Sequence, residues 1–146
     1  MERQLSFSIK AFPSPPSVNG LYAYTGKRVV KSKAYRVYEG NVHRWVLMNQ
    51  DTIIKLRTFF TDIGSYVIHI DTTFNMLGTS IVCKNGKPKR NDTSNRLKAL
   101  HDVLAAVIGI DDSYFWSGSF SKIPTIAAED FVDIDFKLRT ITGETL

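Results

Sequence analysis

An α/β domain, a small mixed β-sheet packed by two main helices, is what this sequence predicts. Two kinds of pattern predict it. Apolar residues alternate with polar ones over Leu5–Phe12 and again over Tyr66–Phe74, and a largely apolar run closes the chain at Phe131–Leu138, as half-buried and buried strands require. Between them, Lys33–Asn49 and Ser94–Ile108 repeat apolar residues at spacings of three and four, the period of a helix with one buried side. A length of 146 residues with 43% hydrophobic content matches one core, so residues 1–146 read as a single domain.

In order, the first strand carries Leu5, Phe7, Ile9 and Ala11 on one side and ends at Pro13, Pro15 and Pro16. Ser17-Val18-Asn19-Gly20 supplies turn chemistry before the aromatic stretch Leu21–Tyr24, which reads as an ordered loop. Ser32 is placed to cap the first helix, whose stripe is Tyr35, Tyr38, Val42, Trp45, Val46 and Asn49. Ser80–Lys84 reads as a short strand entering an Asn85-Gly86 turn. The second helix aligns Leu97, Leu100, Val103, Leu104 and Val107 and stops at Gly109. Tyr114–Ile123 and Phe131–Leu138 close the sheet.

Lys and Arg outnumber Asp and Glu by 19 to 14, a formal net charge of +5 with a pI near 9.4, which favours a polyanionic partner. Cys83 is the only cysteine, so an internal disulfide and a Cys-based zinc site are both excluded and a reducing cytoplasm fits best. The amino-terminal residues lack the continuous apolar run of a signal peptide or membrane helix, so no membrane association is expected. No Gly-x-Ser-x-Gly elbow, Gly-Lys-Ser or Gly-Lys-Thr phosphate loop, or His-Glu-x-x-His pair occurs, which removes those hydrolase and ATPase classes.

Chemistry concentrates around the second helix. Lys87, Lys89, Arg90 and Arg96 flank a lone carboxylate, Asp92, as the chain enters it. The cations can neutralise phosphates, and the first free amides of the helix suit an anion; the alternative is a solvated basic loop in which Asp92 or Ser94 caps the helix. Asp111 and Asp112 follow the far end of the helix, where the negative pole of the macrodipole disfavours them and a divalent cation would compensate. A solvated turn is the alternative there. If Ser94–Ile108 is one helix, Asp92 and Asp112 stand roughly 25 Å apart. They can then share an ion only if the helix is short or bent, or if two chains each contribute one acid.

Pro15-Pro16-Ser17-Val18-Asn19, Ser32 with Tyr35, Asp92-Thr93-Ser94-Asn95 with Lys98, Asp102, and Asp111-Asp112 come in an order that resembles the RusA family of Holliday junction resolvases. The family motif is Asp-x-Asp-Asn with a lysine three residues on, then a helix ending near an Asp-Asp pair. The resemblance implies a RusA-like homodimer that uses Mg²⁺ or Mn²⁺ to cut branched DNA, four-way junctions above all, in the cytoplasm, or the host cytoplasm if phage-encoded. It implies that Asp92 and Asp112, or its neighbour Asp111, bind the metal. Lys98 would contact the scissile phosphate, Asn95 would orient the helix start, and Lys87, Lys89, Arg90, Arg96 and Asn95 would meet the DNA. Ser94 stands where the family has its second aspartate and brings no charge to a metal.

Asp102, four residues after Lys98, suits a supporting ion pair. Asp71, on the same strand face as His69, is a candidate for the missing carboxylate if that strand neighbours the helix start; otherwise the two form a solvent-facing pair. His43 and His101 have no partner at a zinc spacing, and Tyr35 to Trp45 read as core, leaving Tyr22 and Tyr24 as the aromatics for DNA contact. The competing functional readings are a non-catalytic, structure-selective DNA-binding protein of the same fold and a plain dimerisation scaffold.

Overall fold

The structure, a computed structural model, describes residues 3–16, 22–25, 28–78, 83–88 and 93–141, with the backbone alone for 22–25, 28–30 and 93–95. It is an α+β fold. β1 (Ser6–Pro13) leads to a small hairpin, β2 (Tyr22–Thr25) and β3 (Arg28–Lys31), then to α1 (Lys33–Met48), α2 (Gln50–Phe59) and β4 (Tyr66–Leu77). α3 (Thr93–Ile108), a short 3-10 turn (Asp112–Tyr114), β5 (Phe115–Thr125) and β6 (Phe131–Thr140) complete it. The main sheet runs β1-β6-β4-β5, with β4 antiparallel to β6 and parallel to β5.

Alternation decides which way this sheet faces. On β4, Ile68, Ile70, Thr72, Phe74 and Met76 are buried, and on β6 Val132, Ile134, Phe136 and Leu138. Ile9 and Phe12 of β1 extend the same apolar face, and all three helices pack on it. α1 contributes Tyr35, Tyr38 and Val42, α2 Ile53, Leu56 and Phe59, and α3 Ala99, Leu100, Val103 and Leu104. Aromatic edges lock the layers, with Phe12 against Trp45 at 5.0 Å and Phe60 against Phe136 at 5.2 Å between ring centres. The opposite face of the sheet is polar.

Local chemistry sets the element ends. Ser32 Oγ accepts from the Tyr35 amide, the expected cap of α1. Asn49 interrupts the helical path, and α2 continues after it; this second helix and the β2–β3 hairpin go beyond the two helices and the loop that the pattern suggests. Gly109, with φ of +83°, ends α3 as its position in the sequence implies. In β1 a bulge between Ile9 and Phe12 holds Ala11 at φ 56°. Asp133 accepts the Ala11 amide from the polar side, while the Trp45 indole donates to the Ala11 carbonyl from the helical side.

Gly118 is where β5 meets β4 most closely. A methyl group there would lie 2.1 Å from the Ile70 carbonyl oxygen, so any side chain must push the strand outward. Gly118→Ala is expected to cost about 1–3 kcal/mol, the usual range for overpacking. The check is a lower urea midpoint with the slope of the transition unchanged.

Candidate functional site

α3 is the axis of the site. Its sixteen residues run unbroken, about 24 Å at the standard rise, so the short-helix route to bringing Asp92 and Asp112 together is closed. Its first turn lies over the end of β4, where the Arg96 guanidinium sits 5.9 Å from the Phe74 ring and 3.9 Å from Met76 Sδ. Farther along, its middle turns reach the beginning of β5, where His101 meets Phe115 edge-on at 5.4 Å. α3 therefore runs against the direction of both strands, and its two ends belong to opposite ends of the sheet.

At the carboxyl end, Asp111 and Asp112 are exposed side by side. Asp111 Oδ1 accepts the Ser113 amide at 2.8 Å and so caps the 3-10 turn. That bond and the Ser113 hydroxyl hold its carboxyl below the usual range. His101 lies close enough to Asp112 to feel its charge, but burial dominates and holds the imidazole below its ordinary value, with Asp102 and Asp112 opposing. At the amino end, Lys98 is exposed and Asn95 lies in the first turn. Asp92, Lys89 and Arg90 lie outside the described residues, and of Ser94 and Asn95 only the backbone is described.

Two expectations need correction. Arg96 is only 1% exposed and cannot stand on a DNA-facing surface; burial lowers its pKa, with Asp130 opposing, and its Nη2 has no hydrogen-bond partner among the described residues. Asp71 is on the polar face of β4, away from the face on which α3 packs, so it cannot stand in for the missing carboxylate beside the helix start. Its Oδ1 accepts from Ser119 at 2.7 Å and meets His69 Nε2 at 2.8 Å, and Lys137 lies 3.5 Å from Oδ2. The Ser119 hydroxyl, His69 and Lys137 hold its carboxyl below the usual range against partial desolvation. The other ring nitrogen of His69 meets Ser117 at 2.7 Å. Sequence reasoning found the pair but not the serines, whose Ser117-Gly118-Ser119-Phe120-Ser121 alternation was the available signal.

Other placements agree with the sequence reading. Lys84 and Lys87 are exposed on a turn around Gly86, Tyr35 and Tyr38 are buried, and His43 is exposed. Among the described residues no group of three His, Cys, Asp or Glu side chains could hold a metal, and no helix is long and apolar enough to cross a membrane.

The family model described as Endodeoxyribonuclease RusA matches residues 12–134, a span that includes both ends of α3 and the segments carrying Asp92, Lys98, Asp111 and Asp112. None of the curated proteins matches the chain significantly.

His101 gives this end of the site a pH signature. Its folded pKa is depressed, so the unfolded chain takes up the proton first and stability falls as pH drops below the ordinary value of 6.5, until the folded imidazole protonates as well. Between pH 7.5 and 5.5 the native urea midpoint is expected to fall, and His101→Gln is expected to lose less over the same interval.

Proposed function

The chain belongs to the endodeoxyribonuclease RusA family, and on that premise we propose that it resolves four-way DNA junctions by paired, metal-dependent cuts, acting as a homodimer in the cytoplasm. The observation that carries this is the family match running through both acidic ends of α3. The donor set suits a hard divalent cation: Asp111 and Asp112 offer exposed carboxylate oxygens, and Mg²⁺ is held by one or two carboxylates with water and substrate phosphate oxygens. Asp112, with Asp111 beside it, and Asp92 would hold the ion. The chemistry such an ion supplies when bound is activation of water and offset of charge on the phosphate. Lys98, exposed on α3, would steady the scissile phosphate, and Lys87 and its basic neighbours would hold the backbone without reading bases.

The length of α3 favours a site shared between two chains. β5 is an edge strand, exposed along nearly all of its length, and Trp116 and Phe120 are 59% and 48% exposed; such an edge is a template for another strand. Antiparallel pairing of β5 with its copy across a two-fold axis would set the start of one β5 beside the end of the other. Asp111 and Asp112 immediately precede β5, and the first turn of α3 lies at the strand's far end, so this pairing would bring Asp112 of one chain toward Asp92 of the other. Ser94, which brings no charge to the motif, favours a second reading in which the chain binds junctions and does not cut them.

Cleavage of a labelled four-way junction with Mg²⁺ or Mn²⁺ separates the two. Symmetric nicks are expected from the native chain, at least a hundredfold fewer from Asp92→Asn, and no nicks at all when chelator is present; binding without any nicks would establish the non-cutting reading. The shared site is checked by mixing Asp92→Asn with Asp112→Asn chains. Each alone is expected to be inactive, and the mixture, which restores one intact composite site in mixed dimers, is expected to nick one strand of the junction. A mixture as inactive as its parts would exclude the two-chain site.

A further inference from the structure

The polar face of the sheet is poorly suited to a polyanion, since it carries Asp71, Asp133 and Asp135 with Lys137 and His69. The outward face of α1 has the opposite character. Tyr35, Tyr38 and Val42 are buried, and the side of the helix opposite them presents Lys33, Val37, Gly40 and Arg44 at spacings of four, three and four, with Arg36 alongside. Lys33, Arg36 and Arg44 are exposed. Among the described residues none of them pairs with a carboxylate: Arg44 bonds to Asn41, and the one acid of the helix, Glu39, is taken by Lys31 at 3.0 Å. No acid lies in the first turn to balance the helix dipole against these cations.

Gly40 adds an independent observation. It stands in the middle of a sixteen-residue helix, where glycine weakens the helix relative to alanine. A methyl group there would meet nothing within 4 Å, so no packing among the described residues requires its absence. Glycine at the centre of an exposed face that carries Lys33, Arg36 and Arg44 beside Val37, Leu47 and Met48 leaves room for a partner to approach the helix backbone. Lys33 and Arg44 are about 16 Å apart along the axis, enough for their side chains to reach both phosphate walls of a major groove about 12 Å wide.

Resting on the endonuclease reading, we propose that this face of α1 is a docking surface for the phosphate backbone of a duplex DNA arm, with Lys33, Arg36 and Arg44 as the phosphate contacts and Gly40 as the point of closest approach. Arg44 contributes least, because it lines a cleft shared with Glu129 and Asp130.

The test is fluorescence anisotropy of the full chain on a labelled four-way junction across a salt series. Lys33→Gln combined with Arg36→Gln is expected to weaken binding at least tenfold at 0.1 M salt. It should also flatten the slope of log K against log salt by about 2, from two lost phosphate contacts. Gly40→Ala is expected to raise the melting temperature while weakening binding severalfold, an opposition that damage to the fold cannot produce. Native slope and affinity in the double variant, or native affinity in Gly40→Ala, would overturn the proposal. So would a change confined to dimer dissociation in sedimentation, which would assign the face to a second copy of the chain. Those outcomes leave the endonuclease reading standing; if the native chain binds no DNA, both fall.

Discussion

Two parallel strands that lie side by side cannot be joined by a tight turn, and the β4–β5 pair imposes that constraint on everything around it. The chain has to return from the end of β4 to the level of its start before β5 can begin, and α3 makes the return across the apolar face. The helix therefore spans roughly two-thirds of the length of the strands it bridges. Its two ends, where the candidate acids gather, are held apart by the same geometry that makes the sheet possible. No adjustment of loop conformation can shorten a continuous helix of sixteen residues. The separation is thus a property of the topology, which the edge pairing proposed above would cancel across two chains.

The sheet has helices on one side only, and the other side shows how a half-solvated face is kept from being sticky. Each half-buried carboxylate on that face is tied to a neighbouring strand. Asp135 accepts from Ser8 on β1, Asp133 from Asn75 on β4 and from the bulged Ala11 amide, and Asp71 from Ser119 on β5. Asp71 and Asp135 sit directly opposite each other across the β4–β6 ladder, where like charges repel. Ser8 and Ser119 on the outer strands, with Lys137 between, make that repulsion tolerable. The network spans all four strands and gives this face a structural role that is separate from the acids at the ends of α3.

Much of the fold could be read from the sequence because period and punctuation agreed. α1 has its serine cap and aromatic stripe, α3 its aliphatic stripe and terminal glycine, and β4 and β6 their alternation. α2 was missed although Ile53, Leu56 and Phe59 carry the helical spacing, because Asn49 closes one helix and opens the next with no loop between them. The β2–β3 hairpin was missed because Tyr22–Thr25 and Arg28–Lys31 are four residues each, too short for alternation to stand out. Of the site, the residue types and their order were legible and their directions were not. Asp71 looked available because sequence gives a strand's alternation but not which face the helices will cover. Arg96 looked like a surface cation because its neighbours are surface cations.

The burial of Arg96 has a structural consequence for α3. A guanidinium that is 1% exposed gives up hydration that it recovers only in part. Here the recovery comes from the Phe74 ring, Met76 Sδ and the charge of Asp130. The side chain reaches from the first turn of α3 onto the end of β4, so sliding α3 along the sheet would pull a charge from the contacts that offset its desolvation. Arg96 thus fixes the axial position of the helix more firmly than aliphatic packing alone, which tolerates small slips. The backbone that carries Asn95 and Lys98 is held in register with β4, and through Gly118 with β5. Counting cations along the motif therefore overstates its surface charge: one of them is spent on holding the helix that presents the others.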